Sequence, residues 1–255
     1  MTTQRTEGSL YTSIVNGIAT IEFGHPASNS FPSSLLDRLT KELHHISTIE
    51  EVSVVILKSE GEKAFCAGAS FDELVAIDNL EEGKKFFSGF ANVINAMRTC
   101  SKLIIGSVQG KAVGGGVGLI AACDYVLATE AASIKLSEIS IGIGPFVIAP
   151  AIERKIGVAG LAELTMAATE WKNAYWAEKK GLYSKVFETS KELTKETEYL
   201  AEKLASYNPE ALTEMKKVFW KGTENWGSLL IERAEITGKL VLSDFTKKAL
   251  SKFKK

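Results

Sequence analysis

Two glycine-bearing turns are the first features able to do chemistry. One is Ala64-Phe65-Cys66-Ala67-Gly68-Ala69-Ser70-Phe71, shortly after the β-branched run Val52–Lys58. The other is Gly110-Lys111-Ala112-Val113-Gly114-Gly115-Gly116-Val117-Gly118, which follows the apolar run Leu103–Val108 and leads into a helical pattern. Both stand at the carboxyl ends of predicted strands, where open α/β sheets place ligands. The second leaves free N–H groups at a helix N-terminus, where the helix dipole favours negative charge. Glycine also lets a ligand come close to the backbone. A triple glycine alone is equally well a tight strand-to-helix turn. A dinucleotide fingerprint does not fit, because the third glycine of G-x-G-x-x-G is missing. Neither G-x-x-x-x-G-K-[ST] nor G-x-S-x-G occurs. His25, His44 and His45 form no H-E-x-x-H, and the adjacent pair reads as helix surface.

The elements that must position these turns follow from hydrophobic periodicity. Leu10–Val15 and Ile18–Phe23, joined by Asn16-Gly17, predict a β-hairpin. Pro32 opens a helix with Leu35, Leu36, Leu39, Leu43 and Ile46 on one side. Val52–Lys58, Leu103–Val108 and Tyr125–Ala128 read as strands buried on both faces. Helices are predicted over Glu81–Met97 and from the glycines at 114–116 through Ala122. Strands alternating with helices indicate an α/β fold with a largely parallel sheet. From about Gly160 onward the pattern turns helical: Leu161–Ala168, Asn173–Lys180, Lys191–Ser206, Pro209–Trp220, Ser228–Leu240 and Ser243–Phe253, with one strand signal at Ser184–Phe187. Phe219, Trp220 and Trp226 in this helical part make self-association plausible.

Bulk properties narrow the function classes. With 255 residues and 45% hydrophobic content, the chain can bury one sizeable core. A formal net charge of −1 argues against a nucleic-acid binder, which carries a concentrated basic surface. Five of the nine residues Lys247–Lys255 are lysine, which suits a solvated helix end and leaves an anion contact as the sharper reading. Cys66, Cys100 and Cys123 are odd in number and unclustered, so neither a disulfide framework nor a zinc site is expected. The start, Met-Thr-Thr-Gln-Arg-Thr-Glu, has no apolar leader core, and no run approaches the roughly 18 apolar residues of a membrane span. A cytoplasmic location with no membrane partner is expected.

Taken together, the motifs are more specific than either turn. Ala64-Phe65-Cys66-Ala67-Gly68-Ala69 is followed 46 residues on by the glycine triplet, then by Ala121-Ala122-Cys123-Asp124 and Leu136-Ser137-Glu138-Ile139-Ser140-Ile141-Gly142, with Pro145 and Gly157 after it. This order and spacing resemble the crotonase, or enoyl-CoA hydratase/isomerase, superfamily, over nearly the whole chain. The run Gly114-Gly115-Gly116-Val117-Gly118-Leu119 with Leu136-Ser137-Glu138 and Pro145–Pro150 is similar to bacterial 3-methylglutaconyl-CoA hydratases of leucine degradation.

The resemblance implies an α/β, crotonase-like spiral of ββα units over residues 1–190, with a helical trimerisation region over 191–255. It implies a homotrimer or homohexamer. It also implies an enzyme acting on acyl-CoA thioesters, with no cofactor beyond the CoA carried by the substrate. By position, the backbone N–H groups of Ala69 and Gly115 would hold the thioester oxyanion. Ala27, Ala67, Gly68, Gly114, Gly118 and Pro145 would contact substrate, Ala67 through its carbonyl. Glu138 matches the second of the family's two catalytic glutamates. The first falls on Gly118, and a glycine there would remove a charge and open space for a substrate with its own distal carboxylate. Three functions stay open: an enoyl-CoA hydratase, with 3-methylglutaconyl-CoA as the leading substrate; a Δ3-Δ2 enoyl-CoA isomerase using one glutamate; and a non-catalytic acyl-CoA binder. Asp72 and Glu73 are candidates for a replacement carboxylate. The loop at Ala27 lacks the basic residue often found there, so C-terminal lysines from a neighbouring subunit are candidates for the CoA phosphates. Asp124 is expected to be structural, and Cys66 a small packed residue.

Overall fold

A computed structural model describes residues 7–252. Residues 1–6 and 253–255 lie outside the described residues, and with them Phe253, the last residue of the predicted final helix, and Lys254 and Lys255 of the lysine-rich tail. The chain opens with β1 (Ser9–Val15) and β2 (Ile18–Gly24), an antiparallel hairpin with Val15 opposite Ile18. Asn16 and Gly17 both take positive φ (50° and 78°), as the favoured two-residue hairpin turn requires. Then come α1 (Ser33–Thr48), β3 (Val54–Ser59), β4 (Ala64–Cys66), α2 (Phe71–Ala76), α3 (Leu80–Thr99), β5 (Leu103–Val108), β6 (Lys111–Val113) and α4 (Gly115–Ala122). They are followed by β7 (Tyr125–Thr129), β8 (Ile134–Lys135), a 3₁₀ turn (Glu138–Ile141), α5 (Ala149–Met166), α6 (Ala174–Lys180) and β9 (Lys185–Phe187). The last four helices are α7 (Ser190–Ala205), α8 (Pro209–Phe219), α9 (Trp226–Val241) and α10 (Asp244–Ser251).

The main sheet has the order β1-β2-β3-β5-β7-β9 and is parallel from β2 onward. Its inner strands are buried on both sides. Val55, Leu57 and Ile104 face the main core with α1 and α3, while Val54, Ile56, Ile105 and Leu127 face Leu193 and Ala201 of α7. Near-continuous apolar runs are what two covered faces demand. A second, smaller parallel sheet has the order β4-β6-β8. It was not anticipated, because strands of two or three residues are too short to show a period of 2. Sequence periodicity also missed α2 and the first turns of α5, which kinks at Gly157 (φ 70°, ψ 168°).

The late helices share the core. Trp220, Trp226, Leu230 and Ala234 belong to the main cluster. Helix α9 lies so close to α3 that a Cβ on Gly83 would come within 2.9 Å of the Gly238 Cα. Asp124, just before β7, accepts hydrogen bonds from Ile104 N (2.7 Å), Lys216 Nζ (2.8 Å) and Trp220 Nε1 (2.7 Å). Asp124 and Lys216 side chains are only 4% and 3% exposed. Three donors, one of them charged, satisfy a carboxylate that burial would otherwise penalise heavily. The expectation that Asp124 is structural fits this geometry. Replacing Lys216 with Met should remove that carboxylate's ion-pair partner and lower stability by about 3–5 kcal/mol, measured by urea unfolding at pH 7.

Candidate active site

The small sheet assembles the site. Each of its three parallel strands ends just before one candidate group. β4 leads to Ala67-Gly68-Ala69, β6 to Gly114-Gly115, and β8 to Leu136-Ser137-Glu138. Strand pairing therefore brings residues 69, 115 and 138 side by side at one sheet end. The arrangement is reinforced at each turn. Ala69 bridges Phe31 in parallel register, with Phe31 N donating to Gly68 O (2.8 Å) and Ser70 N to Phe31 O (2.9 Å). That pairing leaves the Ala69 N–H pointing away from the bridge. Gly114 N donates to Lys135 O (3.0 Å), and Gly114 O accepts from Val117 N and Gly118 N. Among the described residues, neither Ala69 N nor Gly115 N has a hydrogen-bond partner. Gly115 opens α4, so its free N–H is one of the helix's unsatisfied first donors.

Glycine is required at Gly114 for two reasons. Its φ of 54° with ψ of −120° is disfavoured for any residue with a side chain, and a Cβ there would stand 2.7 Å from Glu138 Oε1. The carboxylate of Glu138 thus rests directly on the glycine turn. Phe90 covers Gly115 from α3, and itself packs in a series with Phe31, Phe23 and Phe65.

These groups face a cavity of about 200 Å³. Ala67, Gly68, Ala69, Gly114, Gly115, Glu138 and Pro145 line it. The remaining walls are mainly apolar: Phe86, Phe87, Phe90, Ile143, Val147 and Ile148 among them. Among the described residues, Ser137, Glu138 and Thr237 are the only polar side chains in the lining, and Glu138 is the only titratable one. Its Oε2 is sealed from solvent and has no partner among the described residues. Burial pushes the carboxyl up to about 7 from 4.5, opposed more weakly by the backbone N–H groups of Glu138 and Ser137.

Two residues expected to touch substrate lie elsewhere. Gly118 is buried in α4 and does not line the cavity, and Ile148 fills the space where its side chain would project. The space expected to open there is closed by an apolar group. Ala27 is exposed in the loop after β2, beside the site rather than in the cavity. The adjacent Ser28 accepts from Ala67 N (3.1 Å). Glu73 is not a spare acid. It caps α1, accepting from Ser33 N (3.0 Å) and Ser33 Oγ (2.5 Å), and so ties α2 to the N-terminus of α1. Asp72 is exposed and does not line the cavity. Cys66 is buried, its thiol pushed up to about 12 by burial. Its Sγ also accepts from Gly68 N at 3.3 Å, a turn-stabilising contact that sequence spacing alone did not reveal. Thr237, which comes from α9, carried no sequence signal at all. Among the described residues no three His, Cys, Asp or Glu side chains gather as a metal site needs.

The enoyl-CoA hydratase/isomerase family profile matches residues 13–254. A short-chain-enoyl-CoA hydratase of Clostridium acetobutylicum is 29% identical over 239 residues, covering 92% of this chain and 90% of that protein. The mitochondrial methylglutaconyl-CoA hydratase of Rattus norvegicus is 32% identical over 165 residues, 64% of this chain and 52% of the relative. The crystal structure of an enoyl-CoA hydratase from Bacillus halodurans superposes with a TM-score of 0.88 at 20% identity, over 95% of this chain and 99% of that one, a likeness of fold.

The raised Glu138 pKa has a sign that can be measured. The unfolded chain releases this proton near 4.5 and the folded chain near 7, so the native state holds more protons between those values. Stability attached to this group is therefore fully present below about pH 4.5 and lost as pH rises to about 7. Glu138→Gln cannot titrate, so its melting temperature should exceed the wild type's by more at pH 8 than at pH 5. An equal offset at both pH values would contradict a buried, protonatable carboxyl.

Proposed function

The chain belongs to the enoyl-CoA hydratase/isomerase family, and from that premise we propose that it hydrates a short enoyl-CoA, or runs the reverse dehydration, with Glu138 as its only acid–base side chain. One observation carries this reading. Among the described residues, the single titratable group of the cavity lies against a glycine turn, beside two backbone N–H groups that have no partner there.

One carboxyl group suffices for the proton bookkeeping. As a water oxygen bonds to the β-carbon, the Glu138 carboxylate takes a proton from that water. The double-bond electrons move onto the thioester, whose oxygen becomes negative. Ala69 N–H and Gly115 N–H face the place where that charge forms. Donors of this kind contribute about 3–4 kcal/mol each where they meet the developing charge. The new carboxylic acid then gives its proton to the α-carbon, the thioester carbonyl re-forms, and Glu138 returns to the carboxylate. A pKa near neutrality serves both halves, since the same group must accept and then donate.

The walls favour an apolar acyl group. A 3-methylglutaconyl chain would place its distal carboxylate among Phe, Ile and Val side chains, with no Lys, Arg or His in the lining among the described residues. Burying an unpaired carboxylate is strongly unfavourable. Crotonyl-CoA is accordingly the preferred test substrate. A second reading, double-bond migration from Δ3 to Δ2, is favoured by Ile148, which occupies the direction of a Gly118 side chain and leaves water one carboxylate to bind. In that reaction Glu138 would take a proton from the α-carbon and return it to the γ-carbon.

Mass spectrometry of the products separates these outcomes. Crotonyl-CoA should gain the mass of water, and Glu138→Gln should be slower by about 100-fold or more. Faster turnover of 3-methylglutaconyl-CoA would reverse the substrate preference. Migration in a 3-enoyl-CoA without hydration of crotonyl-CoA would favour the isomerase. Binding of all three without turnover would show a non-catalytic acyl-CoA binder.

A further inference from the structure

The turn that carries Glu138 is held from outside the cavity. Glu138–Ile141 is a single 3₁₀ turn that ends on Gly142 in the left-handed region (φ 87°). Gly142 N donates to Ile139 O (3.2 Å), and Ile143 N donates to Glu138 O (3.2 Å). On its inner side, Ile141 and Ile143 line the cavity. Its outer end meets α10. A Cβ on Gly142 would lie 2.5 Å from both Phe245 Cδ1 and Thr246 Oγ1. Thr246 is fully buried, its backbone N–H and its Oγ1 both engaged with Ser243 Oγ. Phe245 is 67% exposed although it packs on this turn.

The same helix closes a satellite core. Leu250 of α10 joins Leu74 of α2, Phe86 of α3, Val241 of α9 and Ile143, with Ala69 and Ile141 packed against them. The Glu138 turn and the Ala69 turn therefore share one apolar support, and α10 forms its outer wall. A 3₁₀ turn of four residues has little rigidity of its own. Its position depends on what it is pressed between.

We propose that Phe245 and Thr246 are positioning residues for Glu138: by packing on Gly142 they fix the 3₁₀ turn so that the carboxylate meets Gly114. Neither touches the cavity; they act through the backbone of residues 138–142. The inference builds on the role given to Glu138 above, and its test includes a readout that needs no substrate. Among the described residues, Glu138 is the only titratable side chain of the cavity. On α10, Asp244, Lys247 and Lys248 are exposed to solvent.

The test compares Thr246→Leu, Thr246→Val and Phe245→Ala. Infrared spectroscopy follows the protonated Glu138 carboxyl across pH, with its band assigned by loss in Glu138→Gln. Leu at 246 adds volume against Gly142 and should move the titration midpoint by at least about half a pH unit, with kcat for crotonyl-CoA down about tenfold and KM within about twofold. Val at 246 keeps the shape and should restore both values. Phe245→Ala trims an exposed side chain and should move the midpoint the same way by a smaller amount, which decides the matter if the Leu variant does not fold. An unchanged midpoint in Thr246→Leu and Phe245→Ala, or equal impairment in Thr246→Val, would overturn the proposal. A shifted midpoint in protein that turns over no enoyl-CoA would instead leave the positioning role standing and remove the hydratase reading.

Discussion

Parallel pairing of three strands, none longer than three residues, is the constraint on which the rest of the site depends. β4, β6 and β8 contribute few ladder hydrogen bonds, yet their register fixes where residues 69, 115 and 138 fall. So small a sheet is not stable by itself. It is held because Phe31 pairs with Ala69 in the turn after β4, Phe90 covers Gly115, and the main sheet packs behind both. The larger sheet, its covering helices and the aromatic series Phe23, Phe31, Phe65 and Phe90 serve to keep these backbone approaches close.

Electrostatics at the site follows from that geometry. Among the described residues, two N–H donors stand without partners because their neighbours' hydrogen bonds are already committed to strand and helix. Such donors cost free energy in the resting protein and are repaid when negative charge appears before them, which is how binding energy becomes transition-state selective. The carboxylate beside them obeys the opposite rule. Apolar walls and a sealed Oε2 disfavour its charge, and this is what brings its pKa close to neutrality. A second carboxylate nearby would raise the cost of charging either one. Ile148 fills the direction a side chain at 118 would take, so among the described residues the cavity keeps a single acid.

The late helices are part of this machinery. Asp124 binds Lys216 and Trp220 of the α8 region to the main sheet, and α9 presses on α3 where Gly83 meets Gly238. α9 brings Thr237 into the cavity wall, and α10 backs the turn that bears Glu138. A division near residue 190 marks a change from mixed to helical composition. The packing is continuous across it.

Local and periodic information in the sequence determined much of this. The β-branched runs of β3 and β5, the Asn16-Gly17 turn, the stripe of α1 and the glycine triplet each encode a backbone state through short-range sterics or periodic burial, so they were legible. The motif order also located Ala69, Gly115 and Glu138. Strands as short as β8 leave no periodic trace, which is why the small sheet had to come from tertiary structure. The same is true of Ile148 beside Gly118, of Glu73 spent on capping α1, and of Thr237 entering from a helix about 100 residues beyond Glu138. Each depends on which surfaces meet when the chain closes. A glycine at 118 reads as open space in one dimension, and only packing in three shows the space to be filled.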